Sequence, residues 1–338
     1  MSLIRIEAYS MTAVPDKART LERFLSFMEE SAARGTTLLL FPELSLTGLP
    51  ETLSMAWPHE ESLQHFHGNA EPVPEGESVQ KLIEKAKALG LYVCWSMTEL
   101  DKENRFRNTA VLIGPEGYIG KYHKQNPAGT EAFEMEASRE ECPVFDTPIG
   151  KIGLLICFDK VFPSVVRRMK LQGAEIVLSP TAWPGMNRKL GGLDLMMQYH
   201  RWSGTSCALE NGVVFVDANH SSHPGVNRGA EGGHSRIIHP LRGVLSETGW
   251  EEAWAAAELD PQAAVEEYYA ALGISKEAHL QRLRAAQTRY EKRKLLRDVI
   301  AVNIRFYARA GAAFVSDLFS ALRWRARTAR AGRRKDRS

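Results

Sequence analysis

The chain has 338 residues, 44% of them hydrophobic and 25% charged, with a formal net charge of +2. Those proportions belong to an ordinary folded protein and exclude a disordered or low-complexity chain, and no apolar run approaches membrane-spanning length. Four cysteines, Cys94, Cys142, Cys157 and Cys207, show neither CxxC pairing nor disulfide-framework density, so a reducing, cytoplasmic setting is expected.

The opening "MSLIRIEAYSMTAV" lacks a basic-then-apolar signal pattern. Within it "LIRIEAYS" predicts a strand, and residues 17–35 a helix with Leu21, Phe24, Leu25 and Met28 on one side. "TLLLFPEL" follows as a buried strand that stops at Pro42, because proline donates no ladder hydrogen bond. Residues 49–74 form a Pro/His/Trp-rich connection, irregular but long enough to be functional. "SVQKLIEKAKALG" predicts a second helix with Val79, Leu82, Ile83, Ala86 and Leu89 inward, and "LYVCWSMTEL" and "RNTAVLIGPEGYIGKYHK" predict strands.

"IGLLICF" predicts another strand, "FPSVVRRMKLQG" a helix and "AEIVLSPTAW" a strand. "LMMQYHRWSGTSCALENG" predicts a helix, followed by the strands "VVFVDANH" and "HSRIIHPLRGVLSE". Alternating strands and helices with extra consecutive strands imply a layered α/β domain.

Three of the apolar strands end in reactive residues: Glu43, Lys124 and Cys157. In open α/β sheets such positions converge on one rim, where ligands bind. A thiolate is a strong nucleophile, yet a free cysteine is mostly thiol at neutral pH, so a neighbouring carboxylate must take its proton during attack. A lysine ammonium favours the thiolate and neutralises the oxyanion of a tetrahedral intermediate, with the N–H of Phe158 as a second donor. Each residue alone has an ordinary role: a buried thiol, a helix-capping glutamate, a solvated lysine. The set outweighs them.

In this order, "LLLFPELSLTG", "GKYHK" and "GLLICFDKVFP" resemble the glutamate, lysine and cysteine blocks of the nitrilase superfamily of carbon–nitrogen hydrolases. "FDTPIGKIG", "LQGAEIVLSPTAW", "ALENGVVFVDANH" and "GGHSRIIHPLRGVL" extend the similarity over about residues 3–260. The resemblance implies a four-layer αββα sandwich that pairs into dimers, with residues 1–260 as the catalytic domain and 261–338 as a helical, basic C-terminal extension. It also implies thioester acyl-enzyme chemistry with no cofactor and no metal. Carried over, Glu43 is the general base, Lys124 stabilises the intermediate and Cys157 is the nucleophile. Many members hold a second glutamate between the lysine and the cysteine; "TEAFEM" offers Glu131, favoured here, with Glu134 as its competitor. Phe158 and Trp183 are expected to line the substrate pocket. Trp183 reads equally well as a core aromatic.

Nitrile-cleaving members typically place Trp–Glu after the nucleophile, whereas "CFD" resembles the amidase and carbamoylase branches. The expected reaction is therefore hydrolysis of a small linear amide or N-carbamoyl amine. Nitrile hydrolysis, acyl transfer, or a non-catalytic scaffold role are the alternatives. "QNP" after Lys124 and "EASREECP" after the second glutamate depart from the family pattern and bear on the substrate.

The remaining features carry less. His220, His223, His234 and His239, and separately His59, His65 and His67, cluster without HExxH or zinc-finger spacing. There is no GxGxxG, Walker loop or GxSxG. Arg188 and Lys189 could grip a substrate carboxylate, and Glu210 and Asn211 read as helix-end ties. Residues 276–338 hold 18 Lys and Arg against 5 Asp and Glu, a local +13, which leaves −11 on the rest. That tail reads as helical to Trp324. Packing against a second subunit ranks first for it, an anionic membrane surface second, and a basic tail with no specific nucleic-acid partner third.

Overall fold

The structure is a computed structural model that describes residues 3–48, 60–129, 131–185, 194–221 and 232–292. The first half runs β1 (Ile4–Ser10), α1 (Lys17–Ala33), β2 (Leu38–Leu40), α2 (Glu60–Gly68), α3 (Glu77–Leu89), β3 (Tyr92–Leu100), β4 (Phe106–Gly114) and β5 (Gly117–His123). Then come α4 (Glu131–Glu134), β6 (Val144–Thr147), β7 (Gly150–Leu154), a 3-10 turn (Cys157–Val161), α5 (Pro163–Leu171), β8 (Ile176–Thr181) and α6 (Leu195–Asn211). The remainder is β9 (Val214–Asn219), β10 (Arg236–His239), β11 (Gly243–Glu247), β12 (Ala253–Leu259), α7 (Pro261–Leu272) and α8 (Lys276–Lys292).

The strands make two six-stranded sheets, ordered β12-β1-β2-β3-β4-β5 and β11-β10-β9-β8-β7-β6. Each has a parallel centre, β1-β2-β3 in one and β7-β8-β9 in the other, flanked by antiparallel strands. Parallel strands are buried on both faces, which is why "LLL" and "GLL" read as continuous apolar runs without alternation. Leu38 and Leu40 of β2 point into a core shared with Ile152 and Leu154 of β7 and Ile176 and Leu178 of β8. Leu39, between them, points the other way, into a core with Phe24 and Met28 of α1 and Val79, Leu82 and Ile83 of α3. That period-2 division fixes helix on sheet on sheet on helix, the expected αββα architecture.

Local chemistry sets the element ends. Asp16 caps α1 by accepting from the Arg19 N–H at 3.0 Å, and Asp194 caps α6 through the N–H groups of Met196 and Met197. Two strands stop earlier than the sequence pattern suggests. β2 ends at Leu40, and β7 at Leu154 instead of running through Cys157 to Phe158, because the chain there turns into the 3-10 turn. α8 packs along α5. The rest of the tail expected to be helical, residues 293–324, lies outside the described residues.

Candidate active site

The two sheets meet at the ends of their parallel strands. The Glu43 N–H donates to the Thr181 carbonyl at 3.2 Å, joining the chain just past β2 to the end of β8, and Met11 bridges to His220 beside it. The segment after β2 is a tight turn. Leu44 has φ of 51°, its N–H donates to Ser96 Oγ at 2.7 Å, and Gly48 closes the turn at φ of 81°. A Cβ on Gly48 would lie 2.4 Å from the Val14 carbonyl oxygen, so only glycine fits. His220 Nε2 donates to the Glu43 carbonyl at 2.6 Å. The glutamate is thereby held from both sheets.

Glu43 and Lys124, both buried, form one row with the partly buried Glu131. Lys124 Nζ lies 2.5 Å from Glu43 Oε1 and 2.5 Å from Glu131 Oε2. Asn108 Nδ2 donates to the same Glu43 oxygen at 2.8 Å and to Glu131 Oε1 at 2.7 Å. Glu43 Oε2 accepts the Ala182 N–H at 2.8 Å, and Glu43, Lys124 and the Ala182 amide all act on the Cys157 thiol. The thiol therefore lies within electrostatic reach of both Glu43 and Lys124. Of the two candidate glutamates, Glu131 is the one paired with Lys124, whereas Glu134 accepts from Ser62 Oγ at 3.1 Å.

Cys157 itself has φ of 49°, left-handed backbone that costs a non-glycine residue energy and that the surrounding structure must impose. Asp159 imposes it. Its Oδ2 accepts the Ile156 N–H at 3.1 Å and the Tyr122 hydroxyl at 2.8 Å, and its Oδ1 accepts both the N–H and the Nδ2 of Asn126. One carboxylate thus ties the cysteine turn to the segment carrying Lys124.

Charge in this pocket is unbalanced. Burial pushes the Cys157 thiol well above its ordinary value, and Glu43 pushes it the same way; Lys124, Lys160 and the Ala182 N–H oppose them without reversing the outcome. Burial and Glu43 thus favour the thiol over the thiolate in the resting site. Burial works against the Lys124 charge, but the Glu131 and Glu43 carboxylates outweigh it and hold the ammonium well above the usual lysine value. Two carboxylates share that one ammonium. Burial and the Glu43 charge therefore raise Glu131 despite Lys124.

Phe158 is half-buried in the cysteine turn, its ring 6.1 Å from that of Trp183. Trp183 is buried, donates from Nε1 to the Met196 carbonyl, and lies with its ring centroid 5.1 Å from Lys160 Nζ. The histidines have ordinary partners: His65 donates to the Gly48 carbonyl, His67 to that of Glu134, and His234 pairs with Glu247. Among the described residues no group of three or more His, Cys, Asp or Glu is arranged to hold a metal. Asn211 does tie its helix end, through the Cys207 carbonyl. His59, Arg188, Lys189 and His223 lie outside the described residues.

Sequence reasoning missed Asn108, which reads as a polar residue at the start of a strand. It also missed Lys160, His200 and Asp217, which lie in three separate segments and meet behind the cysteine turn.

Residues 5–269 match the family model described as carbon-nitrogen hydrolase. A nitrilase of Pyrococcus abyssi is 32% identical over 73% of this chain and 84% of its own length. The omega-amidase NIT2 of Homo sapiens is 26% identical over 77% and 88%. Among solved structures, Saccharomyces cerevisiae Nit3 superposes with a TM-score of 0.68 at 24% identity, covering 80% of this chain and 94% of that one. An amidase from Nesterenkonia sp. gives 0.60 at 24% identity over 80% and 95%, and a structure of a mutant of it shows covalent addition of the acetamide moiety of fluoroacetamide at the active-site cysteine.

Proposed function

The chain belongs to the carbon–nitrogen hydrolase family of the nitrilase superfamily, and from that premise we propose that it hydrolyses a small linear amide or N-carbamoyl amine through a thioester on Cys157. One observation carries the reading: Glu43 and Lys124 form a buried pair at 2.5 Å, both act on the Cys157 thiol, and the other oxygen of the same carboxylate is held by the Ala182 amide.

In this reading Glu43 accepts the thiol proton as the sulfur attacks the carbonyl carbon, since a buried thiol does not ionise unaided. The carbonyl oxygen becomes an oxyanion facing the Lys124 ammonium and the Phe158 N–H. Collapse breaks the C–N bond, and Glu43 returns its proton to the departing nitrogen, which leaves as ammonia or amine. Water then attacks the thioester, Glu43 takes its proton again, and the acid is released as the thiol re-forms. Glu131 sits out of the proton path. It braces Lys124 and, with Asn108, fixes where the ammonium points. Phe158 and Trp183 border the acyl side.

The 32% identity to a nitrilase favours nitrile cleavage as the second reading; the Phe158–Asp159 pair after the cysteine favours the amide. A panel of small amides, N-carbamoyl amines and nitriles, assayed for ammonia release with the wild type and Cys157→Ala, decides. Turnover of amides or carbamoyl amines that the variant lacks is the expected result. Nitrile turnover alone would move the assignment to the second reading, and no Cys157-dependent turnover would end both. Assembly into a homo-oligomer belongs to the same proposal and is measured by sedimentation of the full chain.

A further inference from the structure

Behind the cysteine turn lies a second cluster that the proposed chemistry does not use. Lys160, three residues after Cys157 in the same 3-10 turn, has a fully buried side chain. Its Nζ donates to Asp217 Oδ2 of β9 at 2.7 Å and to His200 Nδ1 of α6 at 2.9 Å. An ammonium has no acceptor, so His200 Nδ1 must accept; the proton is therefore on Nε2, which donates to the His234 carbonyl at 3.1 Å. Asp217 Oδ1 accepts the Thr181 hydroxyl at 2.5 Å, at the end of the strand that leads into Ala182 and Trp183. Arg236 of β10 stands 3.9 Å from Asp217 Oδ2 and donates to the His200 carbonyl.

Stability is a weak account of this group. Replacing a buried charge pair with apolar residues of like volume is often neutral or stabilising, so a lysine, carboxylate and imidazole in full burial need another reason. Their position supplies one. Lys160 belongs to the turn whose first residue carries the thiol in left-handed backbone, and its anchor, β9, neighbours the strand whose end is hydrogen-bonded to Glu43.

We propose that Lys160 is a positioning residue for Cys157: anchored on Asp217 and His200, it fixes the turn that presents the sulfur and sets a second positive charge behind it. The inference rests on Cys157 being the nucleophile. The charged groups acting on that sulfur are then Glu43 after β2, Lys124 after β5 and Lys160 in its own turn. Lys160 is faced in turn by Asp217, His200 and, through Asp217, Arg236. Lys160 opposes the upward push of burial and Glu43 on the thiol. His200 is held well below its ordinary value, by burial first and Lys160 second, so it stays neutral and adds no competing charge.

The test is the pH profile of iodoacetamide labelling at Cys157, followed by peptide mass mapping so that Cys94, Cys142 and Cys207 do not contribute. Lys160→Met strands the Asp217 carboxylate, so the double variant Lys160→Met with Asp217→Asn accompanies it and restores charge balance. A thiol raised by one unit loses about tenfold in thiolate at pH 7. Its greater basicity returns part of that, which leaves labelling about three- to tenfold slower, with the profile's midpoint moved to higher pH. Lys160→Arg, which keeps the charge, should label within about twofold of the wild type on the same scale. A folded double variant with wild-type rate and midpoint overturns the proposal. Failure of both methionine variants to fold also overturns it, by assigning the cluster to stability alone. Wild-type protein whose Cys157 resists labelling at every pH instead removes the nucleophile reading on which the inference stands.

Discussion

Asn108 Nδ2 donates to Glu43 Oε1 at 2.8 Å, from β4, one of the buried strands beside the site. The same nitrogen holds Glu131, and the side-chain oxygen accepts from Ser96 Oγ, which in turn receives the Leu44 N–H. One neutral amide therefore spaces two carboxylates and braces the turn that carries one of them. Asn108→Ala should lower kcat/KM by about 10- to 100-fold, the scale expected when reacting groups lose their registration. It should also cost about 1–3 kcal/mol of stability, since buried acceptors lose their donor. Asn108→Asp should be worse on both counts, because it adds a third carboxylate to two that share one ammonium. Steady-state kinetics and denaturant unfolding read the two effects separately; a wild-type kcat/KM in Asn108→Ala would contradict the role.

The Tyr122 hydroxyl holds Asp159, and Asp159 holds the turn that presents Cys157. Tyr122→Phe removes one of four donors to that carboxylate. A buried hydrogen bond to a charged group is worth about 1.5–3 kcal/mol, and the thermal midpoint should fall accordingly. Turnover should fall through kcat with KM little changed, because the ring still packs while the sulfur's position loosens. A rise in KM alone would place Tyr122 at the substrate instead.

The sequence made Glu43, Lys124 and Cys157 legible because each follows a local pattern, an apolar run leading into one reactive residue. It also made the sheet-and-helix layering legible, since Leu38 to Leu40 and Val79 to Ala86 announce their buried faces by period alone. It could not show where β7 stops. That depends on the Asp159 carboxylate capping the Ile156 N–H, a contact that redirects the backbone before Cys157. Asn108 and the Lys160 cluster were hidden for a different reason. Asn108 acquires its partners from residues 65 positions before it and 23 after it, and Lys160 from residues 40 and 57 positions away. Only strand order and sheet stacking bring these segments together, and composition says nothing about either.

Glu134 gives a stability signature at neutral pH. Burial raises its carboxyl to about 7 from an ordinary 4.5, with the Ser62 hydroxyl pulling the other way. Between those values the folded chain keeps a proton that the unfolded chain has lost, so stability falls as pH rises through the window. Glu134→Gln is neutral at every pH and still accepts from Ser62. Its advantage over the wild type should be near zero at pH 4.5 and grow to at most about 3 kcal/mol above pH 7. Thermal unfolding at four or five pH values measures the trend. A difference that stays constant with pH would show that Glu134 ionises like an exposed glutamate.

Lys124 is the one cation set directly between Glu43 and Glu131, so its removal should be the most costly change at the site. Lys124→Met leaves two buried carboxylates facing one neutral amide. Breaking a buried pair from one side costs about 3–5 kcal/mol. The cost must also depend on pH in a fixed direction. Without the ammonium at least one carboxyl binds its proton more tightly in the folded than in the unfolded chain, so the variant loses stability as pH rises above the ordinary carboxylate range and recovers it in acid. The gap to the wild type should therefore be widest at pH 7 and narrow towards pH 5. Adding Glu131→Gln to Lys124→Met removes one of the two stranded charges and should restore part of the stability. It should restore none of the activity, because the oxyanion still lacks its ammonium, a loss of at least about 100-fold in kcat. Recovery of stability and activity together would mean that Lys124 serves the fold alone.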